Sequence, residues 1–279
     1  GWMSGGHAAR WTDEEMSDTF LGKALEFIDE NKEEPFFLFY ATHENHVPRL
    51  PHPRFEGSTS LGVRGDVVVQ LDWNVGQIVE SLKENDLLDN TLIIFSSDNG
   101  PVLFDGYYDA GPELNGDHRA AGPHRGGKYS VWEGGCRVPF IVSWPGTIAP
   151  GRSASIVSHV DLLASLAALT GAELSADFKG DSQNLLDLLT GKSDVGRDHV
   201  VLQGVDLKSI RAGDWKYVPT GTVTSKGGID EKVYETIGED GALYFLPEDP
   251  EERNNLASLY PSKAKELHQL LMNELSPKL

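Results

Sequence analysis

The sequence of 279 residues has little sulfur and no long apolar segment: it contains one cysteine and three methionines. The single Cys136 excludes an internal disulfide bond and a cysteine-rich zinc site. No segment reaches the roughly 18 apolar residues of a membrane-spanning helix, so no membrane span is expected. The sequence also opens without the basic start and apolar core of a signal peptide, so an exported protein would have lost its signal.

Basic residues are scarce beside acidic ones. The chain has 24 Lys and Arg against 43 Asp and Glu, which gives a formal net charge of −19. Sequence-independent nucleic-acid binding needs clustered cations that displace counterions, so no nucleic-acid partner is expected. Attachment to an anionic membrane surface is disfavoured for the same reason. The length fits one large domain, or a large domain with a small one.

Residues 1–195 are predicted to form part of an α/β domain. Helical apolar spacing follows a capping-box pattern at Thr12 and Glu15, and further helices are expected over about 64–85 and 160–169. Continuous apolar runs predict buried strands over 36–41, 91–95 and 137–144. This alternation of helices and strands predicts a mainly parallel sheet flanked by helices.

Residues 196–279 have a different texture and are predicted to form a smaller α+β subdomain. Short apolar runs over 199–202, 207–211, 215–219 and 242–246 are separated by Gly and Asp, which is typical of an antiparallel sheet. Pro261 opens a final amphipathic helix. The sequence shows no internal repeat.

The segment Ser97-Asp98-Asn99-Gly100 directly follows a predicted buried strand. In open α/β sheets, ligands bind beyond the carboxyl ends of strands. A carboxylate next to an amide offers hard oxygen ligands for Ca²⁺ or Mg²⁺. Taken alone, the segment favours the alternative of a plain turn after a strand.

A glycine-rich segment carries Arg125-Gly126-Gly127-Lys128 and, shortly after, Trp132-Glu133-Gly134-Gly135. Paired glycines let a backbone approach an anion, and the lysine adds a mobile positive charge for phosphate or sulfate. The spacing is not that of a P-loop. A surface turn with a solvated lysine is the alternative.

Two histidines, His43 and His46, lie just after the predicted strand 36–41. Their spacing suits a transition metal or a general acid, but a loop histidine is often only a packing or surface residue. The same alternatives apply to His52, His118 and His124. The last two belong to a long irregular segment over 99–136, a length that favours a functional role.

These segments together resemble the type I sulfatases of the alkaline-phosphatase superfamily. Six segments match in order and spacing: FFLFYATHENHVP, TLIIFSSDNGP, GPHRGGKYSVWEGGCRVPFIVSWPGTIAPG, SHVDLLASLAALTGA, SIRAGDWKYV and LYFLPEDPEERNNLA. The resemblance covers nearly the whole chain, and it implies an alkaline-phosphatase-like sheet in a sulfuric ester hydrolase.

The resemblance also implies roles for individual residues. Asp98 and Asn99 correspond to two metal ligands, for Ca²⁺ in the complete enzyme. Lys128 corresponds to the lysine that binds the sulfate group and steadies the leaving oxygen. His46 corresponds to the histidine that contacts sulfate and protonates the leaving group, and His43 is a weaker candidate for substrate binding. The metal and cations would neutralise charge on the sulfuryl oxygens.

The segment 99–124 is expected to help select the substrate, which would be a sulfated small molecule or carbohydrate. Asp117, His118 and His124 are its predicted substrate-binding residues. It also carries other acidic and aromatic side chains suited to a sugar: Asp105, Tyr107, Tyr108 and Asp109.

The sequence departs from the family at the nucleophile. The family oxidises the Cys of a C-x-P-S-R motif to formylglycine, but Cys136 is followed by Arg-Val-Pro-Phe, so we expect it to be a core residue and the chain to contain no nucleophile. The family's N-terminal aspartate pair and its K-x-H motif are also missing. We therefore expect a C-terminal portion of a longer sulfatase, inactive alone and binding metal weakly or not at all, whose partner is the missing N-terminal portion.

Two alternatives remain open at this point. One is a phosphodiesterase or phosphonate hydrolase of the same superfamily, and the other is a non-catalytic binding or assembly fragment. By resemblance, the expected location is periplasmic, secreted or lysosomal.

Overall fold

The computed structural model of the protein describes residues 5–175, 178, 180–224 and 234–276. These residues form two compact units whose boundaries differ from the predicted division at residue 195, which stays a prediction. The described residues of the first unit fall within 1–91, 106–118 and 144–146, and those of the second fall within 92–105, 119–143 and 147–279.

Two long helices dominate the first unit: α1 spans Met16–Glu30 and α2 spans Val63–Glu84. Both confirm the helices that apolar spacing predicts. The predicted capping box is wrong, because the Thr12 side chain makes no capping hydrogen bond and a 3₁₀ turn, Asp13–Glu15, precedes α1 instead. The unit also contains a short helix α3, Gly111–Leu114, and three more 3₁₀ turns, His7–Ala9, Pro53–Phe55 and Leu88–Asn90.

The buried face of α2 is unexpectedly polar. Asp66, Gln70 and Asn74 are buried, whereas Val68 is 49% exposed. The hydrogen bonds that these three polar side chains make to neighbouring segments account for their burial. The predicted apolar stripe of α2 is therefore only partly covered within the described residues.

The prediction of a buried strand over 36–41 is wrong. These residues pair with no other strand in the described part of the chain. Their side chains nevertheless alternate with a period of two, and Phe37 and Phe39 are 73% and 81% exposed. Pairing requires a neighbouring strand, and the described residues provide none here.

In the second unit, β1 (Ile93–Ser96) and β2 (Phe140–Ser143) form an antiparallel pair in which Ile93 lies opposite Ser143. The helices and strands confirm an α/β fold, but the mainly parallel arrangement is wrong for this chain: every strand pair in its described part is antiparallel. Antiparallel pairing needs no crossover connection between the two strands, whereas parallel pairing does.

Three helices accompany this pair of strands: α4 (Glu133–Cys136), α5 (Asp161–Thr170) and α6 (Leu186–Leu189). The helix α5 confirms the predicted helix over 160–169. It ends at Gly171, whose φ of 71° is the left-handed conformation that favours glycine at this position.

The C-terminal residues of the second unit form the predicted antiparallel sheet, whose strands lie in the order His199–Gln203, Lys208–Ala212, Trp215–Val218 and Ala242–Phe245. The sheet packs on the final helix α7, Pro261–Leu275, through a core that includes Ile210, Leu243 and Leu267. A separate hairpin, β6–β7, was not predicted. The strands are β3 (His199–Gln203), β4 (Lys208–Ala212), β5 (Trp215–Val218), β6 (Gly221–Thr224), β7 (Tyr234–Ile237) and β8 (Ala242–Phe245).

Candidate active site

The Asp-Asn-Gly segment leaves the end of β1 and is fixed by its glycine. The Gly100 N–H donates to the Gly135 carbonyl at 2.9 Å. A Cβ on Gly100 would lie 1.8 Å from the Gly134 carbonyl oxygen, so no other residue fits without moving the backbone. Asp98 is exposed and Asn99 is half-buried, with its amide donating to the Gly100 carbonyl at 2.9 Å.

Lys128 lies beside this segment, because its backbone N–H donates to the Pro101 carbonyl at 2.8 Å. Its ammonium nitrogen lies 5.5 Å from the centre of the Tyr129 ring. Within the described chain it forms no ion pair with Asp98. The structure therefore brings together, by backbone hydrogen bonds, the segments that carry Asp98, Asn99 and Lys128.

Close backbone packing shapes the glycine-rich segment itself. The Gly134 N–H donates to the Arg125 carbonyl at 2.7 Å, and Gly126 has a φ of 73°. The Arg125 guanidinium stacks over the Trp132 ring at 4.2 Å and forms an ion pair with Glu235. The Arg125–Lys128 and Trp132–Gly135 motifs therefore pack directly against each other.

A buried ion-pair cluster connects the glycine-rich segment to the C-terminal sheet. The ammonium of Lys216, on β5, is fully buried and lies 3.0 Å from Glu133 and 2.8 Å from Glu252. The second carboxylate oxygen of Glu252 accepts the Glu133 backbone N–H at 2.6 Å. Burial by itself would raise the pKa of Glu133, but Lys216 and Arg211 outweigh it and hold that pKa below its ordinary value. Sequence reasoning missed this cluster.

Cys136 carries a half-buried thiol. Its thiol donates to the Ser130 carbonyl at 3.4 Å, and burial raises its pKa. A thiol with a raised pKa holds little of the reactive thiolate at neutral pH. The side chain is only half-buried, so its assignment to the core stays a prediction.

His43 and His46 belong to the first unit. The His46 ring is exposed, and its Nδ1 lies 2.9 Å from the Val47 carbonyl. The His43 ring is mostly buried, with Nδ1 3.8 Å from a carboxylate oxygen of Glu44. Burial lowers the pKa of His43, against the opposing effect of Glu44 and Asp13.

The three residues predicted in the long loop separate between the two units. Asp117 and His118 are exposed in the first unit. His124 lies in the second unit, where its Nδ1 is 3.3 Å from the Pro250 carbonyl and burial lowers its pKa. The structure thus places His124 in a packed position against the C-terminal loop.

An arginine pair anchors the loop that carries Asp117 and His118. The carboxylate of Asp109 accepts from Arg49 at 2.8 Å and from Arg64 at 2.9 Å. Burial works to raise the pKa of Asp109, but Arg64, the Gly111 N–H and Arg49 together lower it below the ordinary value. The ion pairs of Asp109 with Arg49 and Arg64 therefore fix the loop in position.

The described residues offer an incomplete metal site. No cluster of three or more His, Cys, Asp or Glu suited to a metal occurs among them. Asp98 and Asn99 bring the hard oxygen donors that Ca²⁺ prefers, yet Ca²⁺ takes six to eight oxygens. These two residues fit the chemistry of a calcium ligand pair without completing a site.

The fold matches known structures of the alkaline-phosphatase-like superfamily. A solved structure from Bacteroides thetaiotaomicron, described by the metabolism of multiple glycosaminoglycans, superposes with a TM-score of 0.88 at 44% identity, covering 98% of this chain and 57% of that one. The PsFucS1 sulfatase from Pseudoalteromonas sp. superposes with a TM-score of 0.79 at 24% identity, covering 94% and 52%.

The family follows from the sequence comparisons. The family model described as Sulfatase matches residues 3–172. An N-acetylgalactosamine-6-O-sulfatase from Bacteroides thetaiotaomicron is 44% identical over 97% of this chain and 53% of its own length. The chain belongs to the sulfatase family. It spans about half the length of that curated relative.

Proposed function

We propose that this chain is the C-terminal portion of an enzyme that hydrolyses sulfate esters. The observation that carries the proposal is the pairing of the Asp98-Asn99 segment with the Lys128 segment through the backbone bonds at Gly100 and Pro101. Membership of the sulfatase family supports the same reaction. The alternative of a phosphodiesterase or phosphonate hydrolase has no such support.

Each proposed active-site residue has a separate task. Lys128 stabilises the negative charge that develops on the leaving oxygen as the S–O bond lengthens, and His46 donates a proton to that oxygen. Asp98 and Asn99 are two of the ligands of a Ca²⁺ ion. When bound, this ion would neutralise charge on the sulfuryl oxygens.

The nucleophile and the remaining metal ligands come from a preceding portion of the same protein. Supporting this, apolar side chains that suit a domain core are exposed in this chain: Phe37 and Phe39 at 73% and 81%, and Ile141 on β2 at 58%. Such exposed apolar side chains suit a surface that packs against further protein. The absence of a formylglycine motif from the sequence fits the same account.

The substrate is a sulfated carbohydrate, for which one sequence relative is named N-acetylgalactosamine-6-O-sulfatase. Asp117 and His118 are proposed to contact it, together with His43 and His124. Tyr108, on the loop anchored by Asp109, is fully exposed and offers a ring for stacking against a sugar. A periplasmic, secreted or lysosomal location is proposed from the family; no described helix has the length and apolarity to cross a bilayer.

Two proteins test the reaction. One is the chain alone, and the other is the chain fused to the N-terminal portion of the Bacteroides relative that is 44% identical to it. The chain alone should not hydrolyse nitrocatechol sulfate, and the fusion should. In the fusion, Lys128→Ala should lower kcat by about 10²–10³, the usual loss of one preorganised charge donor. Lys192→Ala, at an exposed lysine, is the control and should leave kcat unchanged.

Two results would contradict this proposal. One is turnover by the chain alone above its own Lys128→Ala variant, since a nucleophile would then be present. The other is a Lys128→Ala fusion with a raised KM and an intact kcat, since the lysine would then serve only substrate binding.

Calcium binding to the chain alone is a separate test. Calorimetry with CaCl₂ should give no binding in the micromolar range, because two ligands leave most of the coordination shell to water. Micromolar or tighter binding, abolished by Asp98→Asn, would mean that the site is complete in this chain.

A further inference from the structure

Glu44 is a buried carboxylate with an unusual distribution of partners. Its side chain is 1% exposed and belongs to the same loop as His43 and His46. One oxygen, Oε1, accepts from the Ser17 hydroxyl and from two amides, Asn74 at 2.6 Å and Gln70 at 3.4 Å. Since these donors come from α1 and α2, both long helices of the first unit fix the orientation of the carboxylate.

The other oxygen of Glu44 has no hydrogen-bond partner within the described chain. The same is true of the Nδ1 atom of His43, which is also buried. These two atoms are 3.8 Å apart. A buried carboxylate oxygen without a donor carries a desolvation cost, and the His43 imidazole, 3.8 Å away, is the group that can turn an N–H toward it.

We propose that Glu44 is a positioning residue that holds the His43 ring as its Nδ1–H tautomer. The Nδ1–H then points at Glu44 Oε2, and Nε2 is the ring nitrogen that remains for a ligand. The role of that ligand as the sulfated substrate rests on the proposed function; the tautomer does not.

The hydrogen bonds to Glu44 Oε1 predict the effect of one substitution on the His43 tautomer. In Glu44→Gln, the amide oxygen must take the Oε1 position, because three donors already converge there. The amide NH₂ then faces His43 Nδ1 as a donor. Nδ1 must become an acceptor, so the ring proton moves to Nε2 and the tautomer inverts.

The tautomer is measured directly in the 279-residue chain, without any activity assay. Long-range ¹H–¹⁵N correlation spectra of ¹⁵N-histidine-labelled protein, at a pH where His43 is neutral, distinguish the two forms. His43→Gln identifies the signal among the nine histidines. The expected result is the Nδ1–H pattern in the wild type and its complete inversion in Glu44→Gln.

Asp13→Asn is the matched control. Asp13 also raises the pKa of His43 through its charge, but it is exposed, and its carboxylate makes no ion pair with the ring in the described chain. This variant should lower the pKa of His43 and leave its tautomer unchanged. Glu44→Gln should do both. A field effect alone would make the two variants alike.

Three outcomes decide the proposal. A wild-type His43 in the Nε2–H form overturns it, even if Glu44→Gln fails to fold. An unchanged tautomer in a folded Glu44→Gln variant also overturns it. Inversion confined to that variant supports it, and it would do so even if the fused enzyme hydrolysed no sulfate ester, because the measurement is independent of the reaction.

Discussion

The buried cluster around Lys216 makes a strong prediction for stability. Lys216→Met keeps the length and much of the volume of the side chain but removes its charge. Glu133 and Glu252 then share a fully buried site without the ammonium that lies 3.0 Å and 2.8 Å from them. The nearest remaining cation, Arg211, is 3.4 Å from Glu133 alone.

The loss should be large because one partner of a buried ion pair is removed. Such changes typically cost about 3–5 kcal/mol of unfolding free energy. For a domain of 150–250 residues, 1 kcal/mol corresponds to about 2–4 °C, so the melting temperature should fall by about 6–20 °C. Lys263→Met is the control: Lys263 pairs with Glu266 at 2.7 Å on the surface of α7 and should cost less than about 1 kcal/mol.

The deficit of Lys216→Met should also depend on pH with a definite sign. Burial already raises the pKa of Glu252, against the lowering effect of Lys216. Without Lys216 that pKa rises further, so the folded variant binds a proton more tightly than the unfolded chain. The deficit is therefore largest at neutral pH, and it shrinks as the pH falls through the folded pKa toward the ordinary glutamate value of about 4.3.

Thermal melting followed by tryptophan fluorescence between pH 5 and pH 8 measures both effects. Two results would refute the reasoning. One is a Lys216→Met variant no less stable than Lys263→Met at neutral pH. The other is a deficit that grows, rather than shrinks, toward pH 5.

Three further substitutions, one of them with a matched control, test other contacts. Asp161→Asn removes the charge that Arg197 binds in a buried pair, and urea unfolding should show a loss of about 3–5 kcal/mol. Asp109→Asn should speed proteolysis within 104–118; since the pKa of Asp109 is lowered, the difference from wild type should be full above about pH 4 and vanish as the pH falls through the folded pKa. Gly100→Ala should lower the melting temperature because its Cβ meets a carbonyl at 1.8 Å, whereas Gly76→Ala, in open space on α2, should raise stability by about 0.5–1 kcal/mol.

Local periodicity predicted most of the helices and strands. The helices α1, α2, α5 and α7 carry apolar residues at helical spacing, and the C-terminal strands are short apolar runs between glycines and aspartates. These patterns act within a few residues of one another, so they are legible in the sequence. The hairpin β6–β7 was not predicted because its four-residue strands contain few apolar residues.

Pairing between strands was not predictable in the same way. The residues 36–41 have the composition of a buried strand, but pairing depends on a neighbour that the described chain does not contain. For β1 and β2, apolar runs indicated two buried strands without fixing their relative direction. Direction depends on the path of the connecting residues, and 97–139 show no periodicity that would reveal it.

The site was predicted in part. The Asp98 and Lys128 segments were expected together only through the resemblance to sulfatases, since their contact uses backbone groups of Gly100 and Pro101 that have no side-chain signature. Lys216 could not have been placed at all. Between Trp215 and Tyr217 on a strand, a lysine ordinarily marks a solvated face, yet this one is fully buried.

Buried ion pairs connect irregular segments of this acidic chain. With 24 cations for 43 anions, the chain nevertheless places several cations inside. Lys216 pairs with Glu133 and Glu252. Arg197, just before β3, pairs with Asp161 at the start of α5. Arg49 and Arg64 both pair with Asp109. Each contact joins segments at least 36 residues apart, in regions rich in glycine and proline. Apolar contacts tolerate many alignments there, whereas a buried ion pair is stable only when both partners meet, so we expect each pair to favour one arrangement of the two segments that it joins.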